Sequence, residues 1–212
     1  MVDTGLRERI LAGLRGTAPS PGSADWRIAG VPQEQATRLR SSFPAQAVPA
    51  AVLMPLIDHP GGLTVLLTQR AEQLKNHAGQ VSFPGGRIEP CDNGPLGAAL
   101  RETREEIGLG AERVHVIGYL PDHIIISGYR VTPVVGLVDP GFSLQLDAAE
   151  VRATFEVPIE FLFDAHNHHS RLRRIGDEEI PVYDIPYGGH HIWGATAGML
   201  MTLYHLVTGG SR

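Results

Sequence analysis

Cysteine is almost absent from this 212-residue chain. Cys91 stands alone, so no framework of intrachain disulfides can form, and the usage fits a reducing compartment. No basic stretch leads into an apolar one at the start of the chain, and no apolar run approaches the ~20 residues of a membrane-spanning helix. Charge of either sign is modest. The 18 Lys and Arg against 23 Asp and Glu give −5, which supplies no non-specific attraction to nucleic acid or an anionic membrane. Neither G-x-x-x-x-G-K-[ST] nor G-x-S-x-G occurs. His166, His168, His169, His190 and His191 have no cysteine partner and no H-E-x-x-H helix, so zinc is not expected. Internal repeats and low-complexity tracts are lacking too. What remains is a cytoplasmic globular protein with neither nucleic-acid nor membrane partners expected. Its length suits one domain with terminal additions.

Apolar periodicity supplies the elements. Leu6, Ile10, Leu11 and Leu14 share one side of a short helix over 3–15, and the Pro-, Gly- and Ser-rich stretch 16–45 reads as an irregular arm, either a linker or a segment lying on a partner subunit. The expected division is therefore an N-terminal helix and arm over 1–45 and the main domain over 46–212. Residues 47–57 and 63–68 predict two strands joined by a turn at Asp58–Gly62, with further strands at 114–119 and 131–138. The segment LPDHIIISG between the last two reads as a loop with a buried apolar tip. A short helix is expected at 147–154, another at 160–163, and a hairpin around Gly176–Asp177. Arg171–Arg174 reads as an exposed strand edge. Residues 193–207, apolar nearly all round, predict a buried or interface helix, which leaves a homodimer open. Strands and helices mixed without a regular βαβ repeat mean α/β or α+β.

The chemistry concentrates between Gly85 and Leu109, GGRIEPCDNGPLGAALRETREEIGL. Residues three and four apart share a helix face, so Glu102, Glu105 and Glu106 form a carboxylate patch that repels itself unless a cation sits among them. Hard divalent cations such as Mg²⁺ or Mn²⁺ take such oxygen ligands, often with a substrate phosphate completing the shell. Ala98, Ala99, Leu100, Thr103 and Ile107 give the helix its apolar side, and Gly108 is placed to end it. Upstream, Phe83-Pro84-Gly85-Gly86 lets backbone approach closely.

This stretch resembles the Nudix box: Gly, five residues, Glu, seven residues, then Arg-Glu-U-x-Glu-Glu-x-Gly-U with U aliphatic. Gly86, Arg101, Glu102, Glu105, Glu106, Gly108 and Leu109 fall on it, with Thr103 at the first U. The departure is Asp92, which stands where the first Glu is expected, with eight residues rather than seven before Arg101. Directly before the box, LLTQRAEQLKNHAGQVSFPGG (66–86) is similar to the signature of the coenzyme A pyrophosphatase branch of the family. Leu66, Leu67, Thr68, Arg70, Ala71, Gly79 and Phe83–Gly86 match it, and Lys75 replaces an Arg, keeping the charge but not the bidentate fork. Residues 127–133 (SGYRVTP) and 192–194 (IWG) also look like this branch.

The resemblance implies a mixed β-sheet sandwiched between helices and hydrolysis of a phosphoanhydride. For coenzyme A the products would be 4′-phosphopantetheine and adenosine 3′,5′-bisphosphate. Another nucleotide, such as NADH, ADP-ribose or an oxidised nucleoside triphosphate, is the alternative within the family. A catalytically silent Nudix domain would be expected to have lost box carboxylates, and this chain keeps all three. The implied metal ligands for Mg²⁺ or Mn²⁺ are Glu102, Glu105 and Glu106 with the Gly86 carbonyl. Arg101 would pair with Glu105 as support, and Arg70 and Lys75 would meet substrate phosphates. The general base would be a box acid such as Glu105 or one from a later loop. Glu150 occupies the region where related enzymes often carry such an acid, with a solvated helix start as the competing reading, and Glu156 is the weaker choice. His123 and Tyr129 are pocket candidates by residue type alone.

Overall fold

The most apolar stretch of the chain becomes the middle of a sheet. In the computed structural model, which describes residues 4–19, 26–28, 31, 36, 39, 47–74, 76–175 and 178–209, β2 (Val48–His59) turns through Pro60–Gly61 into β3 (Gly62–Arg70). Along β2 the side chains alternate: Ala51, Leu53 and Ile57 point to one face, Ala50, Met54 and Leu56 to the other, and all six are buried. Both faces are therefore covered, as a two-sided apolar strand requires.

Around this pair the sheet is mixed. β8 (Tyr129–Val138) lies parallel to β2, in register from Val48↔Tyr129 to Ile57↔Val138. β6 (Val114–Tyr119) and β7 (Asp122–Ile124) pair antiparallel with β8. β4 (Val81–Ser82) and β9 (Val151–Pro158) pair with β3, and β5 (Gly85–Arg87) with β2. β1 (Trp26–Ile28) adds to β7, making nine strands among the described residues. β10 (His169–Ile175), β11 (Glu178–Tyr187) and β12 (His190–Trp193) form a separate antiparallel sheet.

Helices cover both faces of the large sheet. α1 (Thr4–Leu14) and α4 (Gly194–Thr208) place Leu6, Ile10, Leu14, Ala197 and Leu203 in one core with Met54, Leu56, Val65 and Leu67. On the other face α2 (Gly94–Ile107) packs Ala98 and Ala99 on Ala51, Leu53 and Val134, while Ile107 joins Leu66, Val138 and Val151. A single turn, α3 (Ile159–Leu162), follows β9. The architecture is the α/β sandwich expected of the sequence.

Several local expectations are corrected. Residues 147–154 are not a helix: after a turn, Val151 begins β9, where Val151 and Val157 face the core. The 120–128 segment contains β7, and its tip is not buried, because Ile126 is 60% exposed. The 16–45 arm is not irregular throughout. Trp26–Ile28 is a strand of the main sheet, and Ile28, Val31, Ala36 and Leu39 are buried with Ile124, Ile180 and Val182 of the same chain. The turn residues 176–177 lie outside the described residues.

Candidate active site

The box stretch folds as a strand, a loop and a helix that face one another. α2 begins with Pro95 in its first turn and ends at Gly108, which is left-handed (φ 73°) and returns its N–H to the Arg104 carbonyl. Gly85 (φ 152°) and Gly86 run in β5 along β2 and beneath the helix. A Cβ on Gly86 would sit 2.5 Å from the Glu102 carboxyl carbon, and one on Gly85 would collide with the Ala51 carbonyl oxygen. Only glycine lets the strand approach the acidic helix this closely.

The three helix carboxylates are in unlike environments. Glu106 is buried, its side chain 4% exposed; it accepts a hydrogen bond from the Gly85 N–H (3.2 Å) and faces Arg70 Nη1 at 3.9 Å. Burial pushes its pKa up to about 7, with the nearby Glu150 and Glu102 charges adding to the rise and the Gly85 N–H and Arg70 opposing it. Burial also raises Glu102, whose side chain is 17% exposed and which Arg101 partly offsets. Glu105 is 59% exposed and turned toward Arg101. The patch is thus graded from buried to open rather than uniform.

Arg101 ties these groups together. Its Nη1 donates to Glu102 Oε1 (2.9 Å) and to Glu105 Oε2 (3.0 Å), and Nη2 donates to the Arg87 carbonyl (3.1 Å). Nε and Nη2 grip both oxygens of Asp92 at 2.9 and 3.0 Å. Asp92 also accepts from the Glu89 N–H (2.7 Å), and the Arg101 hydrogen bonds hold its carboxyl below the usual carboxylate range. Asp92, a departure from the box pattern in sequence, is in the structure the bidentate anchor of Arg101. The longer loop puts an aspartate, one methylene shorter than glutamate, within reach.

Glu150, remote in sequence, is brought in by backbone. Asp147 N donates to the Glu106 carbonyl and Gln145 N to the Ile107 carbonyl (both 2.9 Å), which fastens the 145–150 loop to the end of α2. At its other end Ala71 N donates to the Glu150 carbonyl at 2.8 Å, beside Arg70. Glu150 is exposed and near enough that its charge raises both Glu102 and Glu106. An open groove of about 450 Å³ lies along the outer side of α2, lined by Leu100, Arg101, Arg104, Glu105 and Ala111.

Other candidates fall elsewhere. Glu156 is taken by His59 Nε2 (2.7 Å) and the Thr64 hydroxyl at the far end of the β2–β3 hairpin. His123 does not line a pocket; it is buried between the Pro121 carbonyl and Thr202. The Tyr129 hydroxyl accepts from Arg87, the residue that follows the double glycine. Lys75 lies outside the described residues.

Among the described residues no three His, Cys, Asp or Glu side chains close into a cage that could hold a metal by themselves. The donor set nevertheless suits one kind of ion. Oxygen donors that burial makes reluctant to ionise without a cation, left open on the solvent side, match a hard divalent ion that retains water and takes substrate phosphate.

The comparisons agree with this geometry. The NUDIX domain family matches residues 47–176, and the chain belongs to it. It is therefore a Nudix hydrolase acting on a nucleoside diphosphate derivative, in a family whose members generally use divalent cations. Among its relatives, the uncharacterized Nudix hydrolase NudL of Photorhabdus laumondii is 44% identical over 155 residues, 73% of this chain and 82% of that protein. The NudL of Escherichia coli K12 is 42% identical over 156 residues, 73% and 80% of the two chains. The fold is similar to the Nudix hydrolase RenU of M. smegmatis (TM-score 0.52, 20% identity, 79% of this chain and 89% of that one). It is similar also to a MutT protein of Methanosarcina mazei Go1 (TM-score 0.50, 15% identity, 80% and 99%). No helix among the described residues is long and apolar enough to cross a membrane.

Proposed function

We propose that the protein hydrolyses the pyrophosphate of coenzyme A and its derivatives, giving 4′-phosphopantetheine and adenosine 3′,5′-bisphosphate. The observation that carries this reading is the position of Arg70. It belongs to the 66–86 stretch that resembles the coenzyme A pyrophosphatase signature, and it lies 3.9 Å from Glu106. Its Nε is buried without a hydrogen-bond partner among the described residues, while the side chain as a whole is a quarter exposed, so it is the outer part of the guanidinium that would meet an anionic substrate.

In this reading Glu102, Glu105 and Glu106, with the Gly86 carbonyl, would hold Mg²⁺ or Mn²⁺, and the chemistry supplied by a bound ion would be neutralisation of anhydride charge and a lowered cost of deprotonating water. Arg70 and Lys75 bind substrate phosphates, Arg70 as a fork and Lys75 as a point charge. The Gly85 N–H fixes the Glu106 carboxylate, and Arg101, braced by Asp92, fixes Glu102 and Glu105. Glu150, exposed beside these acids, takes a proton from water as the water oxygen attacks one phosphorus. The P–O–P bridge then breaks and its oxygen leaves on the other phosphate. Glu105 is the other acid able to serve as base.

Purified protein incubated with coenzyme A and Mg²⁺ or Mn²⁺, with products resolved by mass, tests the proposal. Phosphopantetheine and adenosine bisphosphate are expected, and neither with EDTA. Glu106→Gln, which keeps the shape but not the charge, should remove metal-dependent turnover, a loss of at least ~10²-fold, while circular dichroism is unchanged. Cleavage of ADP-ribose or NADH with none of coenzyme A would overturn the substrate, and full activity in Glu106→Gln would overturn the metal site.

A further inference from the structure

A second cavity lies outside the acidic site, on the small β10–β12 sheet. It has a volume of about 220 Å³ and is lined by Arg171, Arg173, Val182, Tyr183, Asp184, His191 and Trp193. The register explains the gathering. Arg171 pairs with Val182 and Asp184 with Trp193, and alternation then puts Arg171, Arg173, Val182, Asp184, His191 and Trp193 on one face. The arginine run that reads in the sequence as a plain strand edge therefore sends two guanidinium groups to one concave surface.

Both arginines are held in advance. Arg171 Nε lies 2.6 Å from one oxygen of Asp184, a buried carboxylate whose other oxygen is 3.3 Å from His191 Nδ1, and that nitrogen is also 3.5 Å from Arg171 Nη2. The Arg173 guanidinium lies 4.7 Å above the Trp193 ring, a stacked arrangement that fixes its plane and leaves its edge free. Trp193 is itself packed against the buried Ile28, Val31, Ala36 and Leu39 cluster. With two arginines against one aspartate the wall is net cationic, and preorganised forks match the oxygens of phosphate. The volume is below the ~300–1,000 Å³ of typical pockets for larger ligands, which limits the occupant to a small anion.

We infer that this cavity is a second, non-catalytic binding site for a phosphate monoester. The phosphate oxygens meet the N–H groups of Arg171 and Arg173 that Asp184 does not occupy, and the attached group lies against Trp193. The inference is independent of which nucleotide the acidic site hydrolyses.

Calorimetric titration with phenyl phosphate, in EDTA so that the acidic site has no metal, tests it. One saturable event per chain is expected, unchanged in Glu106→Gln and weakened at least about tenfold in Arg173→Ala, the loss of one charge-assisted fork. Arg173 is exposed, so its removal should leave the fold intact. Arg173→Lys, which keeps charge but not the planar fork, should bind with intermediate affinity. Absence of a saturable event up to about 10 mM, or equal affinity in Arg173→Ala, or loss in Glu106→Gln alone, would each overturn the proposal.

Discussion

Asp92 is the residue whose structural role most exceeds its appearance in the sequence. It touches no other box acid, yet it holds the Arg101 guanidinium that positions Glu102 and Glu105. Asp92→Asn keeps the volume and removes the charge and one of the two acceptors. Loss of such an outer partner costs about 10–100-fold in activity at comparable metal sites. The expected result is a fall of that size in kcat with KM within a few-fold, because substrate contacts are untouched. An equal rise in KM would place Asp92 at the substrate instead. Burial pushes the Glu106 pKa up to about 7, and its side chain is the least exposed of the three box acids on α2.

At the scale of elements, the ends of α2 decide how the site is assembled. Gly108 is left-handed, and a Cβ there would come within 3.0 Å of the Gln145 backbone, the segment that leads to Glu150. Gly108→Ala should destabilise the fold by about 1–2 kcal/mol, read as a lower urea midpoint at constant slope. The junction of β7 with α4 has its own signature. His123 is buried, its Nδ1 donates to the Pro121 carbonyl (2.9 Å) and its Nε2 meets the Thr202 hydroxyl (3.1 Å), and burial lowers its pKa to about 4. Arg27, whose charge also opposes protonation, is the cation felt there. In the folded chain the ring stays neutral where the unfolded chain would protonate it. Its contribution is present above about pH 6.5 and is lost as the pH falls toward 4, of order 3 kcal/mol in all. Thermal midpoints recorded from pH 7.5 to 4.5 should fall less steeply for His123→Gln than for the native chain. Parallel curves would show that His123 does not titrate with unfolding.

At the scale of the whole molecule, the N-terminal segment is part of the core. Ile10 and Leu14 are fully buried in the same cluster as α4, and α4 leaves no residue from 194 to 207 exposed. Much of the apolar surface of α4 is thus packed within the chain. Ile10→Ala should lower stability by about 2–5 kcal/mol in chemical denaturation, the usual range for emptying a buried aliphatic site. A loss below about 0.5 kcal/mol would mean that α1 is detached in solution. The sandwich, the strands β2, β3, β6 and β8 and the box helix were legible in the sequence, because each rests on local periodicity or on glycine chemistry. Glu102, Glu105, Glu106 and Arg101 were legible for the same reason, since helical spacing alone puts them together. What the sequence by itself determined is therefore everything carried by neighbours along the chain: the acidic helix, its cap and the glycine strand. Tertiary structure alone decided the rest. Glu150 reached the site through backbone bonds of its loop to α2 and Ala71, Glu156 was claimed by His59, and 151–154 became the start of β9 rather than a helix because β3 offered an edge. Asp92 found Arg101 through a loop whose length no periodicity describes, and Trp26–Ile28 became a strand because β7 had an open edge. In each case the deciding partner is far away in sequence, so the energy that chose the structure was not written in any local stretch.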